Sequence, residues 1–272
     1  MLSDFLYCEA GVPQGSNLGP LLFLIFYNDL PLSVSCSLDA YADDSTMTVS
    51  GTTADEISRS LTENCETVNN WMQGNKLKLN VDKTHLLVVG TSARLRLQDS
   101  SVSTYMDGIE LQESSEKHEM FLGCYVQHDL KWDVQVDYVL RRLQQRLAAL
   151  HKLGNKISFN LRCQIAESVF TSVLTYCLPV FGGCSQGDIE SLQVMQNSAA
   201  RFVTQLGRMT NRKLLLRQTG WLSVRQLIQY HTALCTFRVR DSLEPEYLKE
   251  ILVRDNRMNR IIIPNSSLTL AN

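Results

Sequence analysis

Apolar residues recur at helical spacing in two long stretches of the chain. After Gly51 an apolar stripe predicts an amphipathic helix that ends at Gly74-Asn75, and Thr52 or Thr53 can cap its start; its members are Ile57, Leu61, Cys65, Val68 and Met72. A second stripe follows Trp132 and consists of Val136, Val139, Leu140, Leu143, Leu147 and Leu150. Later helices are predicted at about 159–175, 188–206, 210–218, 222–240 and 245–252.

Strand-like stretches alternate with these helices in the first half of the chain. Residues 36–41 and 45–49 can form a hairpin that bends at Ala42-Asp43, where an Asp tolerates unusual backbone angles. Other strands are predicted at residues 4–10, 85–90, 119–126 and 260–264, and residues 91–116 form a polar hairpin that turns at Asp107-Gly108. Strands followed by a long helical region indicate an α+β protein.

The segment from Leu21 to Leu30 is apolar on nearly every side. This pattern predicts a buried helix that ends at Pro31. Before it, Pro13 and Gly15 favour a turn, and Ser16 can cap the helix, as could the following Asn. No apolar run approaches the roughly 18 residues of a membrane span, and the first residues lack the order of a signal peptide. We therefore expect an intracellular protein, in the nucleus or cytoplasm, with no membrane partner.

Composition excludes some kinds of site. Eight cysteines are scattered without a Cys-x-x-Cys pair or a Cys/His cluster, which argues against a zinc site and favours reduced, mostly buried thiols. Hydrophobic content of 44% and charged content of 20% are ordinary for a globular protein.

Charge is distributed unevenly along the chain. Residues 1–130 carry 18 Asp and Glu against 7 Lys and Arg, whereas residues 131–272 carry 10 against 19. No acidic residue lies between Glu190 and Asp241, where eight Lys and Arg fall. A polyanion partner for the second half, or a solvated basic face, accounts for this asymmetry.

The hairpin tip carries two adjacent carboxylates, Asp43 and Asp44. Because like charges repel, a hard divalent cation such as Mg²⁺ with oxygen ligands would relieve them. Taken alone, Asp-Asp is also good turn chemistry. The Pro-Gln-Gly loop, taken alone, is equally consistent with a capped core helix.

Together the two stretches resemble the palm of reverse transcriptases from non-LTR (LINE-type) retrotransposons. Gly-Val-Pro-Gln-Gly-Ser-x-Leu-Gly-Pro-Leu-Leu-Phe at residues 11–23 is similar to the family's motif B, and Tyr-Ala-Asp-Asp at 41–44 to its motif C hairpin. Leu-Asn-x-x-Lys-Thr at 79–84 resembles motif D. The Phe-Leu-Gly … Asp … Leu-x-Trp pattern at 121–132 resembles the segment that closes the palm in jockey- and CR1-like elements.

The resemblance implies a fold and a reaction. It implies a partial palm over residues 1–130, an antiparallel sheet with helices on one face, followed by an α-helical thumb and connection region over 131–272. The parent enzyme of such a transposable element is an RNA-directed DNA polymerase, a nucleotidyltransferase that adds dNTPs to a DNA primer on an RNA template with Mg²⁺ or Mn²⁺.

The resemblance also implies roles for particular residues. Asp43 and Asp44 would hold the metal, and Lys83 would donate a proton to the pyrophosphate leaving group. Pro13, Gln14, Gly15 and Ser16 would contact nucleotide and template. The basic residues that would face the template–primer duplex are Arg141, Arg142, Arg146, Arg201, Arg208, Arg212 and Lys213.

One part of the family pattern is missing. The family has a further metal-binding Asp and a fingers region upstream of motif B, whereas only ten residues precede Gly11 and Asp4 has the wrong spacing. We therefore expect a fragment of a parent polyprotein, inactive alone without the missing fingers and palm segment, with an apolar patch left open on residues 21–30. The alternative is a catalytically inactive nucleic-acid-binding remnant or a co-opted retroelement-derived protein.

Overall fold

Each strand that the structure describes pairs with its neighbour in sequence, so these strands form separate antiparallel hairpins. The computed structural model describes residues 11, 15–97, 101–153, 157–241, 248–249, 253–255 and 260–262. These residues fall into two compact units, which are described separately: the first runs to Val88 and includes Ala93–Ser115, and the second holds Val89–Ser92 and the chain from Glu116.

Among its described residues, the first part of the chain has four α-helices and two hairpins. In chain order they are α1 (Gly19–Tyr27), α2 (Leu30–Ser33), β1 (Ser37–Tyr41), β2 (Asp44–Thr48), α3 (Ala54–Gly74), α4 (Ser92–Leu97), β3 (Ser103–Met106) and β4 (Ile109–Gln112). The β3–β4 turn at Asp107-Gly108 has two successive positive φ angles, 50° and 76°, as expected for a tight hairpin of this type. The predicted turn is confirmed, but helix α4 was not predicted.

Helix α3 organises the first unit. Its N-cap is Thr53, whose side chain accepts a hydrogen bond from the backbone N–H of Glu56, and Asn75 caps its C-terminus. The predicted stripe is confirmed, since Leu61, Cys65, Val68 and Met72 are buried and Ile57 is half-buried. One end packs in a cluster with Tyr27 and Leu30, and the other packs on Val102.

The prediction of a buried helix over residues 21–30 is wrong. Only Gly19 and Tyr27 are buried in α1, while the apolar side chains Leu21, Leu22, Leu24, Ile25 and Phe26 are 42–66% exposed. Pro31 does not end the helix; it lies in the first turn of α2, where a proline is tolerated. The expected open apolar patch on this helix is therefore confirmed.

Two strand predictions are also wrong. Residues 85–90 form no strand; an isolated bridge between Leu86 and Glu113 follows a short 3₁₀ turn, Val81–Lys83. Residues 119–126 form two strands, β5 (His118–Phe121) and β6 (Cys124–Gln127), because Leu122 and Gly123 take positive φ angles of 44° and 81° and reverse the chain. The strand predicted at residues 4–10 lies outside the described residues.

The second unit is helical after β6. Its elements are α5 (Asp133–Lys152), α6 (Phe159–Ala166), a π turn (Glu167–Thr171), α7 (Ser172–Thr175), α8 (Leu178–Phe181), α9 (Gln186–Thr204), α10 (Arg212–Thr219), α11 (Val224–Arg240), β7 (Val253–Asp255) and β8 (Arg260–Ile262). Its core includes Leu143, Phe170 and Phe181, each fully buried. The four helix predictions between 159 and 240 and the strand at 260–262 are confirmed; the helix predicted at 245–252 lies largely outside the described residues.

The α+β class is confirmed in the form of helices and small antiparallel hairpins. Within the part of the chain that the structure describes, these hairpins are not joined into one sheet. Among the same residues, no helix is long and apolar enough to cross a membrane. The location in the nucleus or cytoplasm stays a prediction.

Candidate active site

The β1–β2 hairpin places two carboxylates at its tip. The strands pair from Ser37–Thr48 to Tyr41–Asp44, which leaves Ala42 and Asp43 as a two-residue turn. Ala42 takes the left-handed conformation with φ 55°, which costs an L-residue on the order of 1–2 kcal/mol. The turn is therefore where predicted, but the strained backbone belongs to Ala42 and not to Asp43.

The two faces of the hairpin differ. Leu38 and Met47 lie opposite each other and pack in the cluster that contains Tyr27 and Val68. The other face carries Asp44 across from Tyr41, and both Asp43 and Asp44 are exposed. The tip thus presents two adjacent carboxylates to solvent on a support whose back is packed. Among the described residues, no third Asp, Glu, His or Cys forms a metal-binding group with them.

Tyr27 of α1 anchors the hairpin beside these carboxylates. Its hydroxyl lies 2.6 Å from the hydroxyl of Ser45, the residue that follows Asp44. The Tyr27 ring is buried, stacks on Phe23 with centroids 5.3 Å apart, and meets the edge of Trp71 at 5.6 Å. The anchoring role of Tyr27 was not predicted from the sequence, although Phe23 and Tyr27, an aromatic pair four residues apart on one helix, were an available signal.

Part of the loop before α1 is described. The Ser16 hydroxyl accepts a hydrogen bond of 2.9 Å from the backbone N–H of Gly19, the first residue of α1. The N-cap of α1 is Leu18, which makes no side-chain cap hydrogen bond, so the prediction that Ser16 caps the helix is wrong. Gly15 is exposed and has φ 84°, a conformation that favours glycine. Pro13 and Gln14, predicted to contact nucleotide and template, lie outside the described residues.

Lys83 ends the 3₁₀ turn after α3. Its side chain is exposed, and in the part of the chain that the structure describes no hydrogen bond or ion pair joins it to Asp43 or Asp44. The structure therefore does not bring this predicted proton donor into contact with the carboxylates.

The predicted duplex-binding residues lie in the second unit. Arg141, Arg142 and Arg146 are on α5, Arg201 is on α9, Arg208 follows α9, and Arg212 and Lys213 begin α10. Arg208 and Lys213 are exposed, whereas Arg212 pairs with Glu190 at 3.1 Å. Such an exposed ion pair contributes little to stability, so it leaves Arg212 available to another anion.

Arg162 and Arg201 differ from the exposed basic residues because parts of their side chains lie inside the second unit. Arg162 donates from Nε to the Val203 carbonyl at 2.8 Å and from Nη1 to the Ile157 carbonyl at 2.6 Å, joining α6 to the end of α9. The Nε of Arg201 is buried without a hydrogen-bond partner among the described residues. Arg162 therefore links two helices, and Arg201 is less accessible to a binding partner than the exposed basic residues.

Two thiols of the second unit, Cys124 and Cys184, are not nucleophilic at neutral pH. The seven cysteines that the structure describes are all free. Burial raises the pKa of the Cys124 thiol to about 12, with the neighbouring Cys177 adding to the rise, and burial raises the pKa of Cys184 to about 11. Both thiols stay protonated at neutral pH and are therefore unreactive.

Comparison with known proteins gives two kinds of match. A family model described as "Reverse transcriptase (RNA-dependent DNA polymerase)" matches residues 2–132. The probable RNA-directed DNA polymerase from transposon BS of Drosophila melanogaster is 29% identical over 244 residues, which cover 85% of this chain and 26% of that protein. No solved structure matches significantly.

Further relatives come from the same kind of element. The RNA-directed DNA polymerase from mobile element jockey of D. melanogaster is 22% identical over 209 residues. The aligned region covers 72% of this chain and 22% of that protein. The probable RNA-directed DNA polymerase from transposon X-element of D. melanogaster is also 22% identical, over 86% of this chain and 26% of its own length. The chain thus spans about a quarter of the length of these relatives. The matches do not favour the alternative of a co-opted or inactive remnant.

Proposed function

Because this chain belongs to the reverse transcriptase family, with a domain homologous to the RNA-directed DNA polymerases of non-LTR retrotransposons, we propose that it supplies the catalytic hairpin of such a polymerase. The reaction is template-directed addition of a dNTP to the 3′-OH of a DNA primer on an RNA template. The template, the primer and the dNTP are the partners that this proposal implies.

The observation that carries the proposal is the exposed carboxylate pair on an anchored turn. Asp43 and Asp44 stand at the tip of a hairpin whose back packs in the core and whose second strand is tied to α1 through Tyr27. Phosphoryl transfer depends mainly on positioning and charge, so a rigid support beneath the charged groups suits it.

The hairpin tip offers the type of ligand atom, carboxylate oxygen, that Mg²⁺ and Mn²⁺ bind. Both carboxylates offer the oxygen ligands that these ions prefer, and Mg²⁺ commonly uses one or two carboxylates and takes its remaining ligands from substrate phosphates and water. Asp43 and Asp44 would hold the ion, which when bound neutralises charge on the reacting phosphates. The hairpin contributes the position of those ligands.

Other residues take roles under this proposal. Pro13, Gln14, Gly15 and Ser16 would contact nucleotide and template, and the Ser16 hydroxyl accepts a hydrogen bond from the backbone N–H of Gly19 at the start of α1. Lys83 would assist the pyrophosphate leaving group after a movement of its long, exposed side chain. The activity of the 272-residue chain without the rest of a polymerase stays a separate prediction, that it incorporates no dNTP.

The two parts of the chain have different roles in the proposal. Residues 1–130 form part of the palm, and residues 131–272 form a thumb and connection region whose basic residues face the duplex. The support for the second role is charge, because residues 131–272 hold 19 Lys and Arg against 10 Asp and Glu.

A chimera tests the proposal. Residues 1–272 replace the matching segment of the transposon BS polymerase, and incorporation of dTTP on poly(rA)–oligo(dT) with Mg²⁺ is measured beside the unmodified polymerase. We expect primer extension well above a control without protein. A folded chimera that binds the template–primer but extends no primer would contradict the proposal.

A further inference from the structure

A polar side chain interrupts the buried apolar face of α3. Asn64 is 2% exposed and comes just before Cys65 and Val68 of the stripe that packs inside the first unit. A buried amide lowers stability unless its polar atoms are hydrogen-bonded. Its hydrogen-bond partners therefore indicate what Asn64 contributes to the fold.

The Asn64 amide connects two segments of backbone. Its Oδ1 accepts hydrogen bonds from the backbone N–H of Ser35 at 2.8 Å, from the Ser35 hydroxyl at 3.2 Å and from the backbone N–H of Cys36 at 3.2 Å. Its Nδ2 donates to the Ser60 carbonyl within α3 at 2.8 Å. Only the oxygen of an amide can accept from two N–H groups, so these contacts fix which way the side chain points.

Ser35 and Cys36 form the entry to the β1–β2 hairpin. They follow α2 and come directly before β1. The ladder between the two strands begins with the pair Ser37–Thr48, so both residues precede it. Their backbone N–H groups therefore donate to α3 and not to β2, and the start of β1 is tied to that helix.

Asn64 and Tyr27 hold the hairpin at opposite ends. Asn64 holds the start of β1, and Tyr27 contacts Ser45 near the start of β2, beside the tip. Between these two contacts, the back of the hairpin packs in the cluster that contains Val68, one turn after Asn64 on α3. Apolar packing is not directional, whereas hydrogen bonds are, so the Asn64 contacts set the angle at which β1 leaves the helix.

The distance from this contact to the tip makes the angle important. Asp43 follows Cys36 by seven residues, which corresponds to roughly 20 Å of extended strand. A rotation of about 3° at the base would therefore move the carboxylates by about 1 Å. A displacement of about this size can slow a reaction about a hundredfold when the reacting groups must be aligned.

We propose that Asn64 is a positioning residue for nucleotide addition, because its Oδ1 fixes the backbone at Ser35 and Cys36 and thereby places the carboxylates of Asp43 and Asp44. This inference rests on the proposed function, in which those carboxylates hold the metal ion. Asn64 is buried at the base of the hairpin and acts through it. Its loss should therefore slow the chemical step without weakening the binding of the template–primer.

Primer extension by the chimera measures this effect. Asn64→Leu removes the hydrogen bonds at similar side-chain volume, and the matched control is Val102→Ala, at a buried residue in the cluster at the other end of α3. Rates are compared at a temperature where each variant is folded. We expect Asn64→Leu to lower kcat on poly(rA)–oligo(dT) at least about tenfold with the KM for the template–primer within about twofold, and Val102→Ala to change neither.

Two kinetic results overturn the inference. One is a folded Asn64→Leu chimera that has the kcat of the Val102→Ala control. The other is a variant that raises KM while kcat stays unchanged, since that result would assign Asn64 to binding and not to the placement of the carboxylates.

Asn64→Asp tests the acceptor oxygen separately from the rest of the side chain. Aspartate keeps oxygen acceptors for Ser35 and Cys36 but loses the donor to the Ser60 carbonyl. It should therefore extend primers at least about threefold faster than Asn64→Leu. Equal rates for these two variants would contradict a role for the Oδ1 contacts.

Hydrogen exchange tests the inference without any polymerase activity. In the 272-residue chain, Asn64→Leu should speed exchange of the Ser37–Thr48 amides at least about tenfold more than exchange of the β3–β4 amides. An equal change in both hairpins would show general destabilisation and would overturn the inference. Failure of primer extension by the unsubstituted chimera would instead count against the proposed function, so the two claims are read from different measurements.

Discussion

The hydroxyl of Tyr27 lies 2.6 Å from the hydroxyl of Ser45 and so joins α1 to the strand that begins with Asp44. The two residues are 18 positions apart, and each follows shortly after one of the two sequence motifs that carry the family resemblance. The position of the carboxylates therefore depends on a residue that contributes no ligand. This arrangement explains how a two-residue turn with a strained Ala42 can be held in one conformation.

Removing the Tyr27 hydroxyl should loosen the hairpin. We expect Tyr27→Phe to destabilise β1–β2 by about 1 kcal/mol, the typical net contribution of one hydrogen bond. Hydrogen exchange of the Ser37–Thr48 amides measures this as faster exchange. Tyr105→Phe, at a half-exposed tyrosine of β3, is the control and should leave the hairpin amides unchanged. Equal exchange in the two variants would show that the contact does not stabilise the tip.

The exposed face of α1 should cause self-association. Leu24 and Ile25 are 58% and 66% exposed beside other exposed apolar side chains, and contiguous apolar patches favour association. Size-exclusion chromatography with light scattering should show oligomers at micromolar concentration. Leu24→Gln with Ile25→Gln should shift the chain towards monomer, whereas Met209→Gln, at an isolated residue that is 96% exposed, should not. A monodisperse wild-type monomer would contradict this prediction.

Alanine variants of Gly123 and Gly108 should distinguish the destabilisation caused by backbone strain from that caused by a side-chain clash. Both follow a residue of positive φ in a hairpin turn, with φ of 81° and 76°. An added Cβ at Gly108 meets nothing within 4 Å, but at Gly123 it meets the Tyr176 ring at 3.3 Å. Backbone strain should lower the free energy of unfolding of both alanine variants by about 1 kcal/mol. Denaturant unfolding should show a larger loss for Gly123→Ala than for Gly108→Ala. The excess should vanish in a Tyr176→Ala background; if it persists, the ring is not its cause.

The Cys124 thiol predicts a change of stability with pH. Its pKa is raised from about 9 to about 12 in the folded chain, so the folded state holds the proton more tightly than the unfolded state. The stabilisation is complete below pH 9 and is lost as the pH rises from 9 towards 12, by at most about 1.4 kcal/mol per pH unit. The unfolding free energy between pH 8 and 10.5 should therefore fall less in Cys124→Ala than in wild type. The exposed Cys235→Ala is the control, and identical slopes for all three proteins would refute the assignment.

Local chemistry made several elements predictable. The α3 helix followed from one apolar stripe and two end signals, and the hairpin at residues 37–48 followed from two strands around a two-residue bend. Both elements are determined by residues close together in the chain, so their patterns can be recognised in a single sequence. The Leu122-Gly123 turn was missed because the apolar residues around it continue without a polar break, although the glycine was the available signal.

Contacts between distant residues could not be predicted. The exposure of α1 depends on what packs over it, and the sequence shows only that its side chains are apolar. In the second unit, Arg142 and Arg146 of α5 line a groove together with Ser168 and Ser172, which follow much later in the chain, and the π turn that contains Ser168 has no sequence signature. The carboxylate pair was recognisable because it lies in one short motif, whereas its anchor, Tyr27, acts across the fold.

If this chain supplies the catalytic hairpin, nucleotide addition requires Asp43 at the hairpin tip. Primer extension by the chimera carrying Asp43→Asn tests this requirement, because the substitution keeps the shape of the turn and removes the charge. Asp39→Asn, at an exposed carboxylate of the same hairpin, is the matched control. We expect Asp43→Asn to lower the extension rate by at least about a hundredfold with duplex binding intact, and Asp39→Asn to extend at the rate of the unsubstituted chimera. Extension by Asp43→Asn at the rate of the control would show that the Asp43 carboxylate is not needed for nucleotide addition.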